Sequence, residues 1–119
     1  MATILLVEDH PMNRKLVRDI LLFQYQVDEA VSAEAAQEYL QTHRPDLILM
    51  DIQLPNLDGY EATRRIKSNP LLRQIPIIAV TSYALSGDEA KARAAGCDGY
   101  IAKPFSPRAI LAKIRELLN

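Results

Sequence analysis

The amino-acid sequence predicts an α/β fold, in which a five-stranded parallel sheet carries five helices distributed over both faces. Short apolar runs rich in Val, Ile and Leu alternate five times with longer segments of helical periodicity. Apolar runs of about five residues are typical of strands that are covered on both sides. The 119 residues, 49% of them hydrophobic, suffice for one domain with one core, which we assign to residues 1–119.

The first half of the chain supplies two strand–helix units. Thr3–Val7 is an apolar strand, and Pro11 then occupies the first position of a helix. Val27–Val31 is a weaker strand, after which Ser32 caps a helix that runs from Ala33 to about Thr42 before Pro45. The apolar stripe of the first helix consists of Leu16, Val17, Ile20 and Leu21.

The second half continues the alternation. Strands are predicted at Leu47–Met50, Ile75–Val80 and Tyr100–Ala102. Asp58 opens a helix to about Ser68, and a further helix spans Gly87–Ala95 and ends at Gly96. The last helix starts at Ser106-Pro107, and its apolar stripe consists of Ile110, Ile114, Leu117 and Leu118.

Polar residues follow four of the five strands directly. A flavodoxin-like strand order, 2-1-3-4-5, is the leading topology for this pattern, and its functional site lies beyond the carboxyl ends of the strands. Strands one, three, four and five are neighbours in that order, so the residues after them should form one patch. These residues are Glu8, Asp9, Asp51, Thr81 and Lys103.

Three carboxylates in one patch repel one another, so either at least one is protonated or a cation is present. Glu8, Asp9 and Asp51 are hard oxygen ligands, which suit Mg²⁺, with Mn²⁺ as the second candidate. Next to such a cation Asp51 can act as a nucleophile toward phosphorus. Lys103 and the Thr81 hydroxyl would then contact the remaining phosphoryl oxygens. Taken singly, each residue is more typical of a helix cap, a strand end or the surface.

Composition excludes several other classes of protein. Fourteen basic residues against fifteen acidic ones give no basic excess for nucleic acid, and we interpret Arg64, Arg65 and Lys67 as a solvated helix face. Cys97 is a lone cysteine, which fits a buried side chain in a reducing compartment. Neither a signal peptide nor an apolar run of about 20 residues is present, so we expect a cytoplasmic protein without membrane contact.

Over its full length the sequence resembles the receiver domains of response regulators in two-component systems. The matching motifs are Leu5-Leu6-Val7-Glu8-Asp9, Pro45-Asp46-Leu47-Ile48-Leu49-Met50-Asp51, Pro55-Asn56-Leu57-Asp58-Gly59, Ala79-Val80-Thr81 and Tyr100-Ile101-Ala102-Lys103-Pro104-Phe105.

The resemblance implies a CheY-like fold and a role for individual positions. Asp51 matches the phosphoacceptor, and Glu8 with Asp9 matches the acidic pair that holds Mg²⁺. Gln53 falls where the family supplies a backbone carbonyl to the metal. The remaining matches are the switch hydroxyl at Thr81, the switch aromatic at Tyr100, the phosphate-contacting Lys103 and a cis bond before Pro104.

The same resemblance implies a signalling switch rather than an enzyme, with at most slow self-dephosphorylation. A histidine kinase or a histidine phosphotransferase would donate the phosphoryl group, and the downstream partner would be a protein. Residues 87–100 look most like stand-alone receivers and those of hybrid kinases. We expect a monomer or a weak dimer.

The sequence departs from the family between the first helix and the second strand. The stretch Leu22–Val27 is about two residues shorter than usual and lacks Gly, so the helix ends early or the strand is short or displaced. A displaced strand would expose Phe23 or Tyr25 and favour self-association.

Three other functions stay open. A haloacid dehalogenase-type phosphatase would need an acid at position 53, where this chain has Gln53. A flavin-binding module would need a phosphate-binding loop after the first strand instead of Glu8-Asp9-His10. A receiver-like module that binds partners without phosphorylation is the leading alternative.

Overall fold

Five parallel strands alternate with five helices in the computed structural model, which describes residues 1–54, 58–81 and 88–118. The strand order is β2-β1-β3-β4-β5, which confirms the predicted sheet. The strands are β1 Thr3–Val7, β2 Gln26–Ala30, β3 Leu47–Asp51, β4 Ile77–Thr81 and β5 Gly99–Ala102. The helices are α1 Pro11–Leu21, α2 Ala33–Tyr39, α3 Gly59–Ser68, α4 Asp88–Ala95 and α5 Pro107–Leu118.

Alternation along the strands divides the core into two layers. Residues such as Leu5, Ile48 and Ala79 pack with buried side chains of α2, α3 and α4. Their chain neighbours, such as Ile4 and Leu49, pack on the opposite face with side chains of α1 and α5. Successive side chains of a strand point to opposite faces, so one apolar run serves both layers. The sheet is thereby fixed in register between two helical layers.

Local signals set the ends of several helices. The side chains of Ser32 and Asp58 accept hydrogen bonds from the N–H groups of Ala35 and Glu61, as expected of the predicted caps. Gly96 follows α4 with a φ of 109°, a conformation that favours glycine at a helix end. Gly87, the predicted start of that helix, lies outside the described residues.

Two strands have bounds that differ from the predicted ones, because their pairing with the neighbouring strands starts or ends at other residues. The second strand ends at Ala30 rather than Val31, because Val7 pairs with Ala30 and is the last residue of β1. The fourth strand begins at Ile77 rather than Ile75, because the Ile75 N–H donates to Leu72 in the preceding loop. Strands three and four end one residue later than predicted, at Asp51 and Thr81, and strand five begins one residue earlier, at Gly99.

Two helix predictions were partly wrong. The second helix ends at Tyr39 rather than Thr42, since the N–H groups of Gln41 and Thr42 donate to carbonyls three residues back and close a tight turn. In the first helix Val17 and Leu21 are buried, but Leu16 is 60% exposed. Leu16 instead lines a groove between α1 and the segment that precedes α5.

The short connection after α1 is accommodated by a turn. The helix ends at Leu21, and the N–H groups of Gln24 and Tyr25 donate back to its carbonyl. The second strand keeps five residues, all in register with β1. Phe23 is 90% exposed although β2 keeps its register, whereas Tyr25 packs partly against the core.

The basic cluster on α3 is not one solvated face. Arg64 and Arg65 are exposed, as predicted, and they pair with Glu61. Lys67 turns inward, and its ammonium contacts Asp98 at 2.8 Å. Within the described part of the chain, no helix is long and apolar enough to cross a membrane.

Candidate functional site

The end of β1 presents two acidic residues in different environments. Glu8 is buried, and its Oε2 accepts a hydrogen bond of 3.1 Å from the His10 N–H. Asp9 is exposed. The cap of α1 is His10 and not Asp9, because the helix begins at Pro11. Asp9 is therefore available for a role other than helix capping.

The end of β3 holds Asp51 in a buried position at the centre of the sheet. Its side chain is 5% exposed, and Oδ1 accepts a hydrogen bond of 3.0 Å from the Gln53 N–H. The next residue, Ile52, donates its N–H to the Val80 carbonyl at 3.0 Å. Main-chain bonds thus hold both the carboxylate and the chain that follows it.

The three predicted carboxylates come together. Glu8, Asp9 and Asp51 each offer an oxygen, and these oxygens lie within 4.8 Å of one another. Parallel pairing explains the proximity, because Val7 lies opposite Met50 and the acidic residues follow directly. Carboxylates at such separations repel one another, and a bound cation would offset their charge. An all-oxygen donor set fits Mg²⁺ or Mn²⁺ better than zinc.

Lys103 brings a positive charge to this cluster from the end of β5. Its Nζ lies 3.1 Å from Glu8 Oε1 and 3.9 Å from Asp51 Oδ2. Its backbone N–H donates to the Thr81 carbonyl at 2.6 Å. The Lys103–Pro104 peptide bond is cis, the geometry that the family resemblance implies. One ammonium against three carboxylates leaves the cluster negative.

Thr81 and Tyr100 lie on the neighbouring strands. Thr81 is buried at the last position of β4, opposite Ala102. Tyr100 is half-buried and packs against the layer formed by α2, α3 and α4. The structure thus brings Glu8, Asp9 and Asp51 together, with Lys103 close to Glu8 and Asp51. Thr81 ends the adjacent strand β4, and Tyr100 lies within β5, opposite Ala79.

Two residues at the site escaped the sequence analysis. Gly59 lies so close to β3 that an added Cβ would be 2.7 Å from the Ile52 Cα and would overlap the Asp51 carbonyl oxygen. Arg14 donates hydrogen bonds to the carbonyls of Glu8 and Asp9. A glycine at a helix start signals close approach only weakly, and Arg14 resembles any polar helix residue in the sequence.

An apolar groove borders the site. Its volume is about 430 Å³, and it runs from Lys103 along α1. Apolar side chains of α1 and of the loop after β5 dominate its walls; among them are Leu16, Val17, Ile20, Phe105 and Pro107. The groove is a concave apolar surface next to a charged site.

Comparison with known proteins agrees with this geometry. Residues 4–115 match the family described as response regulator receiver domain. Over 118 residues the chain is 42% identical to the polar-differentiation response regulator DivK of Brucella anthropi, which covers 98% of this chain and 96% of that protein.

Solved structures share the fold over nearly the whole chain. The receiver domain of a sensor histidine kinase from Pseudomonas aeruginosa PAO1 is 38% identical, with a TM-score of 0.91 and coverage of 98% and 97% of the two chains. That structure has a magnesium ion coordinated in its active site cleft. The chemotaxis response regulator CheY4 of Vibrio cholerae is 27% identical, with a TM-score of 0.92 and 99% coverage of each chain.

Proposed function

Since this chain belongs to the response regulator receiver domain family of two-component signalling, we propose that it is a phosphorylation-dependent switch with Asp51 as acceptor. The observation that carries the proposal is the position of Asp51. It is buried at the end of a central strand, with two further carboxylates within 4.8 Å and an ammonium at 3.9 Å. A structural aspartate would not require such a surrounding.

Glu8, Asp9 and Asp51 are the residues that would hold Mg²⁺, or Mn²⁺ in its place, with the Gln53 carbonyl as a further ligand. The related Pseudomonas receiver domain supports this assignment. When bound, the ion supplies positive charge that offsets the negative charge of the incoming phosphoryl oxygens.

Each side chain of the site has a defined part in the transfer. An Asp51 carboxylate oxygen forms a bond to phosphorus while the phosphorus–nitrogen bond of a phosphohistidine breaks, and the imidazole leaves as the neutral base after taking up a proton. Lys103 contacts one phosphoryl oxygen with its ammonium, and the Thr81 hydroxyl donates a hydrogen bond to another. The Gln53 N–H keeps the Asp51 carboxylate oriented.

The donor is a histidine kinase or a histidine phosphotransferase. Its phosphohistidine has to reach Asp51, so its docking surface must border the site. The groove beside Lys103 offers this surface, because exposed Leu16 and half-buried Ile20 and Phe105 can accept an apolar helix face. Leu16→Glu would impair transfer from a phosphorylated phosphotransferase domain and spare phosphorylation by a small phosphodonor. Leu71→Glu, at an exposed site elsewhere, is the control.

The output follows from a change of state rather than from turnover. Phosphorylation draws the Thr81 hydroxyl toward Asp51, and Tyr100 moves into the space beside α4. Only two alanines of the described α4 residues, Ala92 and Ala95, are buried in the core, which anchors this helix weakly. The altered α4 surface then binds a downstream protein. Slow self-dephosphorylation and a cytoplasmic location complete the proposal.

Intact-protein mass tests the acceptor directly. The parent is incubated with Mg²⁺ and acetyl phosphate and should gain one phosphoryl group, whereas Asp51→Asn should gain none. Asp46→Asn is the matched control, since Asp46 accepts a hydrogen bond from the Thr3 N–H at the other end of the sheet. No gain in the parent under any metal condition would favour a module that binds partners without phosphorylation.

A further inference from the structure

Arg14 contacts the loop that carries two of the three clustered carboxylates. From the first turn of α1, its Nη1 donates to the Glu8 carbonyl at 3.1 Å and to the Asp9 carbonyl at 3.0 Å. One guanidinium thus binds two consecutive peptide units at the point where β1 ends. These bonds go to main-chain oxygens, so Arg14 itself does not occupy the carboxylate oxygens of Glu8 and Asp9.

The guanidinium is itself held in place. Its Nε lies 3.6 Å from Glu29 Oε1, while Arg18 occupies the other oxygen of the same carboxylate at 3.0 Å. Glu29 is on β2, opposite Leu6 of β1. The side chain of Arg14 is only 19% exposed, and a planar guanidinium bound on two sides has little freedom left to lose. Arg14 therefore connects the edge strand to the acidic loop.

We propose that Arg14 is a positioning residue for divalent cation binding. It holds the Glu8–Asp9 peptide units in the conformation in which both carboxylates face Asp51, so that binding requires little reorganisation of the loop. Glu29 acts indirectly, because it orients Arg14. This inference rests on the proposed metal-binding function and assigns a residue outside the ligand set.

The sign of the effect separates positioning from simple electrostatics. Arg14 carries a positive charge beside the acidic cluster, so Coulomb repulsion alone predicts that Arg14→Gln strengthens cation binding. Positioning predicts the opposite. Loss of a partner that orients metal ligands weakens binding by about tenfold or more. Arg14→Lys should also weaken binding, because it keeps the charge but has no second nitrogen to stay beside Glu29 while the first binds the two carbonyls.

The test is calorimetric titration of Mg²⁺, and separately of Mn²⁺, into the parent and four variants. We expect about tenfold weaker binding for Arg14→Gln, weaker binding for Arg14→Lys, and a smaller loss for Glu29→Gln. Arg18→Gln is the matched control. Arg18 lies on the same helix and shares the Glu29 partner, but its described side-chain hydrogen bond goes to Glu29 and not to the Glu8–Asp9 carbonyls. Its dissociation constant should stay within about twofold of the parent.

Amide exchange in EDTA gives a second readout that needs no metal. The N–H groups of Glu8, Asp9 and His10 should exchange faster in Arg14→Gln than in Arg18→Gln. Binding by Arg14→Gln that equals or exceeds the parent would overturn the inference, as would an equal loss in Arg18→Gln. Absence of binding by the parent would instead overturn the metal-binding part of the proposed function, and the inference with it. If Arg14→Gln does not fold, cation binding by Arg14→Lys and Glu29→Gln tests the inference in its place.

Discussion

The Lys103 ammonium donates a hydrogen bond of 3.1 Å to the Glu8 carboxylate. Its distance to Asp51 Oδ2 is longer, at 3.9 Å. Lys103 therefore occupies one oxygen of Glu8, a residue of the proposed cation ligand set. An ammonium and a divalent cation at the same carboxylate compete, and in the proposed transfer Lys103 contacts the phosphoryl group instead.

Lys103→Met should strengthen Mg²⁺ binding while it slows phosphorylation. Removal of one competing charge in this half-buried site should raise the affinity by about fivefold, corresponding to ~1 kcal/mol. Calorimetric titration and intact-protein mass after acetyl phosphate measure the two effects. Lys113→Met removes the same charge from α5, where Lys113 faces Glu116, and should alter neither. Weaker Mg²⁺ binding by Lys103→Met would contradict the competition.

Gly59→Ala should destabilise the protein and disturb the acceptor. The added methyl group would lie 2.7 Å from the Ile52 Cα, so α3 or the chain after β3 must move. We expect a loss of about 1–3 kcal/mol in the free energy of unfolding and slower phosphorylation. Urea denaturation measures the first quantity. Ser68→Ala, at the exposed last residue of α3, should change stability by less than about 0.5 kcal/mol.

Lys67 and Asp98 should be energetically coupled. The Lys67 ammonium donates to the carbonyls of Arg73 and Ile75 and to Asp98, whose carboxylate also accepts the Ile77 N–H. Lys67→Met should cost about 2 kcal/mol, because charged hydrogen bonds in a half-buried site are lost. A double-mutant cycle with Asp98→Asn should give a coupling energy of about 1 kcal/mol. Arg64→Met, which breaks an exposed pair, should cost less than about 0.5 kcal/mol.

Cys97 should be unreactive in the folded protein and should make stability fall at alkaline pH. Burial raises the pKa of its thiol above the ordinary value of 9.0, while a contact with the Thr63 hydroxyl acts in the opposite direction. The unfolded thiol therefore ionises first as the pH rises. The stability of the parent relative to Cys97→Ala should be constant below about pH 8 and decline above pH 9 by at most about 1.4 kcal/mol per pH unit. Rapid iodoacetamide labelling of the folded protein at pH 8 would contradict this burial.

A phosphate mimic should change amide exchange in α4. Beryllofluoride on Asp51 should alter the protection of the helix around Ala92 and Ala95, since these small side chains supply its buried contacts. Hydrogen exchange with and without beryllofluoride measures this, and α5, anchored by Ile110 and Ile114, should change little. Equal protection of α4 in both states would rule out the proposed movement.

The strand-end cluster was predictable because it depends on chain order and sheet topology alone. The apolar runs β1 and β3 are followed or ended by the polar residues Glu8 and Asp51. Parallel pairing of the two strands brings these residues to the same edge of the sheet, independently of the surface side chains. Small boundary errors, such as the shift of β2 by one residue, did not move any residue of the cluster. Residues fixed by the core are therefore the ones that a sequence predicts best.

The contacts of long polar side chains were not predictable. Arg14 and Lys67 both lie on the polar faces of helices. Their partners, Glu29 and Asp98, are distant in sequence and belong to other elements, so the helical pattern does not indicate them. Only the packing of α1 beside β2, and of α3 beside the loop before β5, brings Glu29 and Asp98 within reach. The predicted burial of Leu16 was wrong for the same reason, because its exposure depends on the path of the chain after β5.

The proposed acceptor and the residues proposed to contact partners belong to different layers of the molecule. Asp51 extends from β3, whose other residues have no exposed surface, whereas Leu16 and most of α4 lie outside both core layers. Exchange of outer residues alters neither the register of the strands nor the spacing of the carboxylates. On the proposed function, copies of this domain could therefore diverge in the proteins they recognise while Asp51 and the carboxylates around it stay unchanged.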